Sequence, residues 1–262
     1  MRVLCLTSLL FITACQSAAQ QPQIELSPTK KVTTTGIVAQ LTPLSWAAQK
    51  EINNPGSCPQ EQLQGCREWI KYRAEIASPL RNSAAIVFLI DKSRSMEMLL
   101  ALVRQSALVA MNSLRASDEI SVVAFDAAPL LVIPLQKVSE AKKLAKKRLG
   151  SIIATGKTDL TPALFLAKRD LSKIDSQFKH LIIFSDFKSP LPPEFFTPTI
   201  REFKDAGISV STIALGEDSD MPMAAFIAKA TGGSINVVAN IENLDRAVLE
   251  DLSTKLVAKK RK

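Results

Sequence analysis

Residues 85–95 read Ala85-Ile86-Val87-Phe88-Leu89-Ile90-Asp91-Lys92-Ser93-Arg94-Ser95. Six apolar residues in a row, without the polar alternation of a half-exposed strand, predict a strand covered on both faces. The run stops at a carboxylate. Beyond it Asp91, Ser93 and Ser95 occur at alternate positions, so their oxygens can face one point as the chain turns towards its next element.

Working outward, further apolar runs predict strands at Ile120 to Phe125, Leu130 to Leu135, His180 to Ser185, Ile208 to Leu215 and Ser234 to Val238. Helical spacing falls between them. Met98 to Leu114 carries an apolar stripe of Leu99, Leu102, Val103, Leu108 and Met111, and Ser139 to Leu149 is a Lys-rich helix. Thr161-Pro162 and Thr197-Pro198 each offer a capping Thr followed by Pro in the first turn; the first helix reaches about Ile174 and Gly207 stops the second. Met221 to Ala230 and Glu242 to Val257 complete the set. Strands and helices alternating at this spacing predict an α/β fold: a doubly wound, mainly parallel sheet with helices on both faces. Such a sheet places ligands beyond the carboxyl ends of its strands, where the strand order reverses.

Two predicted strands end in Asp, at Asp91 and Asp186, and a third loop supplies Gly156-Lys157-Thr158-Asp159 just before a helix start. Together Asp91, Ser93, Ser95, Thr158 and Asp186 provide two carboxylates and three hydroxyls. Hard oxygen donors suit Mg²⁺, Mn²⁺ or Ca²⁺ completed by water, and the lack of thiolate or imidazole argues against zinc and copper. The competing reading is that these residues only form turns and caps, with Ser95 capping a helix from Glu97 onward.

IVFLIDKSRSM, GKTDLTPAL and HLIIFSD, in this order and spacing, resemble the von Willebrand factor type A domain and its metal-ion-dependent adhesion site. ISVVAFD and ISVSTIALG extend the likeness, which spans roughly residues 83–256 and is nearest to the bacterial extracytoplasmic form. The resemblance implies a Rossmann-like fold in which Ser93, Ser95 and Thr158 coordinate a divalent cation, Mg²⁺ first. It implies that Asp91 and Asp186 act directly or through bound water, that Asp159 tunes the site from behind, and that a partner's acidic side chain fills the open position. One departure is plain. The family usually has Gly after the third Asp, whereas Phe187 stands here, followed by Lys188-Ser189-Pro190-Leu191-Pro192-Pro193. A stiffer rim is expected, in which Phe187 and Leu191 either touch the partner or fold onto the domain.

The first residues, MRVLCLTSLLFITAC, combine Arg2, an apolar run from Val3 to Ile12 too short to span a bilayer, and small residues before Cys15. Ile12-Thr13-Ala14-Cys15 resembles the bacterial lipobox, which implies a signal peptide over residues 1–14 and a lipidated Cys15; an ordinary secretory signal cut nearby is the plainer reading. Acyl chains contribute about 0.8 kcal/mol per buried CH₂, so two or three anchor the protein without a spanning helix. Gln16 in place of Asp points, by analogy with lipoprotein sorting, to the outer membrane of a Gram-negative cell, facing the periplasm. Residues 15–45 are rich in Gln, Ser, Thr and Pro and read as a flexible tether. Residues 46–82 read as an N-terminal extension with helical character over Glu61 to Ile76, residues 83–256 as the domain, and residues 257–262 as a basic tail. In an exported chain Cys58 and Cys66 form an even pair at short spacing and read as a local disulfide.

The chain of 262 residues carries a formal charge of +8, with 33 Lys and Arg against 25 Asp and Glu. Aromatics at 5% leave little stacking surface, which argues against nucleic acid as partner. A single His, His180, begins its strand and reads as structural; Met96 and Met98 read as packing. Neither a paired Glu nor a Cys–His pair nor a Gly-rich phosphate loop is present, which argues against an enzyme. The expected function is a lipid-anchored envelope protein that binds a protein partner through a divalent cation. Its alternatives are a periplasmic scaffold with a structural or vestigial ion, and a tether that holds anionic polymer or lipid on basic surface such as the helix carrying Lys142, Lys143, Lys146, Lys147 and Arg148.

Overall fold

The computed structural model describes residues 63–79 and 82–258, all within the compact unit Leu41–Lys262. Six strands form one sheet: β1 (Ala84–Asp91), β2 (Glu119–Phe125), β3 (Pro129–Lys137), β4 (Phe178–Ser185), β5 (Ile208–Leu215) and β6 (Ile235–Val238). Their order is β3-β2-β1-β4-β5-β6. All neighbours are parallel except β3, which lies antiparallel on the edge beside β2. Only Asp126-Ala127-Ala128 joins those two, and so short a link permits a hairpin but no crossover. The mainly parallel, doubly wound α/β sheet expected from the sequence is thus the observed one.

Seven helices cover it among the described residues: α1 (Leu63–Ala77), α2 (Leu100–Ser113), α3 (Val138–Gly150), α4 (Thr161–Ser172), α5 (Thr197–Asp205), α6 (Met221–Thr231) and α7 (Leu244–Ala258). Alternate residues of β1 feed two separate cores, as a strand covered on both faces must. Ile86, Phe88 and Ile90 pack with α1, α2, α3 and α7, whereas Ala85, Val87 and Leu89 pack with α4, α5 and α6. Phe88 meets Phe184 of β4 edge to face at 5.7 Å, joining the two central strands within the first core.

Several local expectations change. The inward face of α2 is Leu100, Val103, Ala107, Ala110 and Met111, while Leu102 is exposed and Leu99 and Leu108 are half-buried. Small Ala residues face the core closely and carry little apolar signal, so the larger leucines point to a face rotated by about one position. Met96 is fully buried, but Met98 is 87% exposed and does not pack. Thr161 and Thr197 are the first helical residues of α4 and α5 rather than caps; Leu160 and Phe196 precede them in helical conformation without a side-chain cap bond. Pro162 and Pro198 do occupy the first turns. On the Lys-rich helix α3 the Lys142 ammonium turns back to the protein, donating to the carbonyls of Asn112 (3.2 Å) and Leu114 (3.2 Å), where the dipole of α2 favours a cation.

His180 is fully buried near the start of β4, at the end of the strand away from Asp186. Its Nε2 lies 2.9 Å from Asp251 Oδ2 and its Nδ1 2.7 Å from Ser209 Oγ, and Ser211 donates to Asp251 Oδ1 at 2.8 Å. This network fixes α7 to the sheet. Helix α1 packs on α7 through Trp69 and Ile76 and carries the buried Cys66. Residues 1–62, with Cys15 and Cys58, lie outside the described residues, as do residues 259–262 of the tail. Among the described residues no helix is long and apolar enough to cross a membrane.

Candidate functional site

β1 and β4 are the neighbours at which strand order reverses, and register places Ile90 beside Phe184. The next residues along both strands form the heart of the site. Asp91 is fully buried; its Oδ1 accepts from the Ser93 amide at 2.8 Å and its Oδ2 from Ser185 Oγ at 2.5 Å. Burial raises the Asp91 pKa above the usual carboxylate value. Hydrogen bonds from Ser185 and Ser93 pull it down without cancelling that effect, and the Asp186 charge adds to the rise.

Ser93 opens a short 3₁₀ turn, Arg94–Met96, that brings Ser95 beside it, with the two hydroxyl oxygens 3.1 Å apart. Ser95 caps no helix, since α2 begins only at Leu100. Thr158 is 6% exposed, and no hydrogen bond engages its hydroxyl among the described residues. Asp186 is 4% exposed, with Oδ1 accepting from the Lys188 amide at 3.2 Å. Asp159 turns to its own chain, where Oδ1 accepts from the Thr161 amide at 2.9 Å and starts α4.

Ser93, Ser95 and Thr158 line one open cleft of about 570 Å³, while both carboxylates are buried at the strand ends. Among the described residues no three of His, Cys, Asp and Glu gather as a metal cage, so an ion held here depends on the hydroxyls. The donor set fits a hard divalent cation: all oxygen, with two buried carboxylates and a Thr hydroxyl free of other bonds.

Of the two arrangements open for Phe187, partner contact or folding onto the domain, the structure has the second. Its φ is +58°, the left-handed region where the related Gly is at ease, yet its ring is fully buried in the core of α4, α5 and α6. The Phe187 amide donates to Ser185 Oγ at 2.8 Å, so Ser185 bonds both Asp91 and the strained turn. Leu191 is half-buried against the same core.

Ser185 was not among the residues expected from sequence, nor was a strap that holds the Thr158 loop. The Lys92 ammonium pairs with the Asp126 carboxylate and lies 2.7 Å from Thr155 Oγ1, which itself donates to Asp126 at 2.7 Å. Slight burial raises the Asp126 pKa, but the Lys92 and Thr155 bonds prevail and hold it below the usual value. Backbone bonds run alongside: Thr155 N to Lys92 O at 2.7 Å, Arg94 N to Gly156 O at 3.3 Å and Asp159 N to Asp126 O at 2.9 Å. Gly156 is required here; its φ is +62°, and a Cβ would lie 2.6 Å from Asp126 Oδ2. The available signal was that Asp126, like Asp91, directly follows the last apolar residue of a strand run.

Residues 86–188 match the family model of the von Willebrand factor type A domain. No curated protein matches the chain. Among solved structures, a von Willebrand factor type A protein from Catenulispora acidiphila superposes with a TM-score of 0.62 at 21% identity over 67% of this chain. The chain spans only 43% of that protein's length. An aerotolerance-related membrane protein from Bacteroides fragilis is similar at 15% identity (TM-score 0.54, 66% of this chain and 99% of that one). Proximal thread matrix protein 1 of the mussel byssus, described with a zinc-occupied MIDAS motif, is similar at 14% identity (TM-score 0.56, 73% and 51%). These identities bear on the fold. The family match covers residues 86–188, and the mainly parallel sheet that carries them is similar to the von Willebrand factor type A fold.

Proposed function

We propose that the three strand-end loops bind a divalent cation, Mg²⁺ or alternatively Mn²⁺ or Ca²⁺, and through it an acidic side chain of a protein partner. The observation that carries this reading is the convergence of Ser93, Ser95 and Thr158 on one cleft beside two buried aspartates. Ser93, Ser95 and Thr158 would hold the ion, and Asp91 and Asp186 would balance its charge directly or through water. A cation here would supply an electrophilic centre for a partner's carboxylate oxygen. Asp91, braced by Ser185 and the Ser93 amide, keeps the first loop in place; the Lys92–Asp126 strap does so for Thr158. The role is binding rather than catalysis, since His180, the lone imidazole, lies at the far end of β4. The mussel protein's zinc-occupied motif supports metal use by this fold, and the membrane description of the Bacteroides fragilis protein suits an envelope setting.

The proposal extends to a Cys15 lipid anchor in the outer membrane and a bridge from Cys58 to Cys66 of α1. The test is affinity capture from detergent-solubilised envelope in Mg²⁺ and in chelator. The expected outcome is a partner retained in Mg²⁺, released by chelator and lost with Ser95→Ala. Retention in chelator would favour a scaffold that uses another surface, and retention lost only at high salt would favour a tether on anionic polymer.

A further inference from the structure

We propose that Arg94, Lys157 and Lys188 make the cleft a receptor for a protein segment bearing several carboxylates, and that they make ion binding and partner binding strongly interdependent. This rests on the reading of the cleft as a cation site. Each of the three loops sets one cation beside its oxygen donors: Arg94 between Ser93 and Ser95, Lys157 just before Thr158, and Lys188 two residues after Asp186. All three are exposed and line the cleft.

Their charges are open to a visitor in a way that Lys92's is not. The Lys92 side chain is only 12% exposed and its charge is cancelled by Asp126. Among the described residues neither Arg94 nor Lys157 is in a salt bridge, and Lys188 pairs only with Asp218, whose side chain is 81% exposed. An exposed pair of that kind holds weakly and yields to a competing carboxylate. Asp220, the acidic residue lining the cleft, is already committed, since its Oδ1 caps α6 through the Met223 amide at 3.0 Å.

Three cations around the hydroxyls repel an incoming dication and attract an anion. One carboxylate on the ion leaves the rim unmatched; further carboxylates satisfy it. By linkage, the factor by which an acidic segment tightens ion binding equals the factor by which the ion tightens the segment. Removing rim charge should therefore move the two affinities in opposite directions. A general loss of structure cannot do that, because it weakens both. The recessed donors, with Ser93 at 2% and Thr158 at 6% exposure, favour a side chain that reaches inward over a flat lipid surface.

The experiment compares the detergent-solubilised full chain with Arg94→Gln/Lys157→Gln. Mg²⁺ alone is titrated by calorimetry. Fluorescein-labelled Gly-Asp-Gly-Asp-Gly-Asp-Gly and its single-Asp counterpart are titrated by anisotropy in saturating Mg²⁺, and phosphatidylglycerol vesicles are tested by co-sedimentation. The double variant should bind Mg²⁺ about threefold or more tighter and the three-Asp peptide about tenfold weaker, with the single-Asp peptide little changed. Parallel loss of both affinities, unchanged affinities, or a wild type indifferent to peptide carboxylate number would overturn the inference and leave the cation site standing. So would vesicle binding that depends on the rim more than peptide binding does. No Mg²⁺ binding by the wild type would overturn the cation site itself, and the inference with it.

Discussion

Phe187 sits in a left-handed conformation that costs a non-glycine residue about 1–2 kcal/mol, and its fully buried ring offsets that cost. Truncating a buried Phe costs about 3–5 kcal/mol, so Phe187→Gly, which relieves the backbone and removes the ring, should lower stability by a net of about 1–4 kcal/mol. Urea unfolding measures this, and a Gly variant as stable as the wild type would contradict it. From sequence, Phe187 was legible as a departure but not as a core residue, because a lone Phe after a strand end gives no periodicity to say which way it turns. Asp251 gives a second test. Burial alone would raise its pKa, but the His180 charge and the bonds from His180, Ser211 and Ser234 hold it below the usual carboxylate value. A carboxyl with a lower pKa folded than unfolded adds stability above about pH 4, and this is lost as pH falls through the folded value. Acid melts should therefore show a steeper loss below about pH 4 in the wild type than in Asp251→Asn; parallel profiles would contradict the assignment.

The elements around the site were legible where composition alone decides them. The unbroken run Ala85 to Ile90 gave a strand covered on both faces, and three motifs before and after predicted elements marked the loops. What stayed hidden were pairings between distant residues. Lys92 and Asp126 are 34 positions apart, and nothing local distinguishes Lys92 from the exposed Arg94 two residues on. Likewise Ser185 reads as the last residue of a strand until its bond to Asp91 is seen. The strap makes the Thr158 loop a unit with β1 and β2, so disturbing it should reach the ion. Gly156→Ala introduces a Cβ at 2.6 Å from Asp126 Oδ2 in a left-handed residue. It should weaken Mn²⁺ binding by about tenfold, as losses in supporting interactions do, while Tm falls by only a few degrees. Unchanged Mn²⁺ affinity would show that the strap does not position Thr158.

At the scale of the whole molecule, the sheet brings β1 and β4 together at its reversal point and thereby joins loops whose donors lie between Asp91 and Asp186 in the chain. The proposed anchor ties this site to a surface. Cys15→Ala should release the protein from the membrane fraction to the soluble one, and full membrane retention by the variant would contradict lipidation of Cys15. Whether the strand-end loops form a divalent-cation site is decided by calorimetric Mn²⁺ titration of the wild type, Ser95→Ala and Asp91→Ala. Ser95 is exposed and, among the described residues, its hydroxyl bonds only Ser93, so its loss leaves the fold intact and removes a donor. The wild type should bind one ion per chain saturably, and each variant should bind it at least about tenfold more weakly. Equal binding by all three proteins, or no saturable heat from the wild type at millimolar Mn²⁺, would contradict such a site.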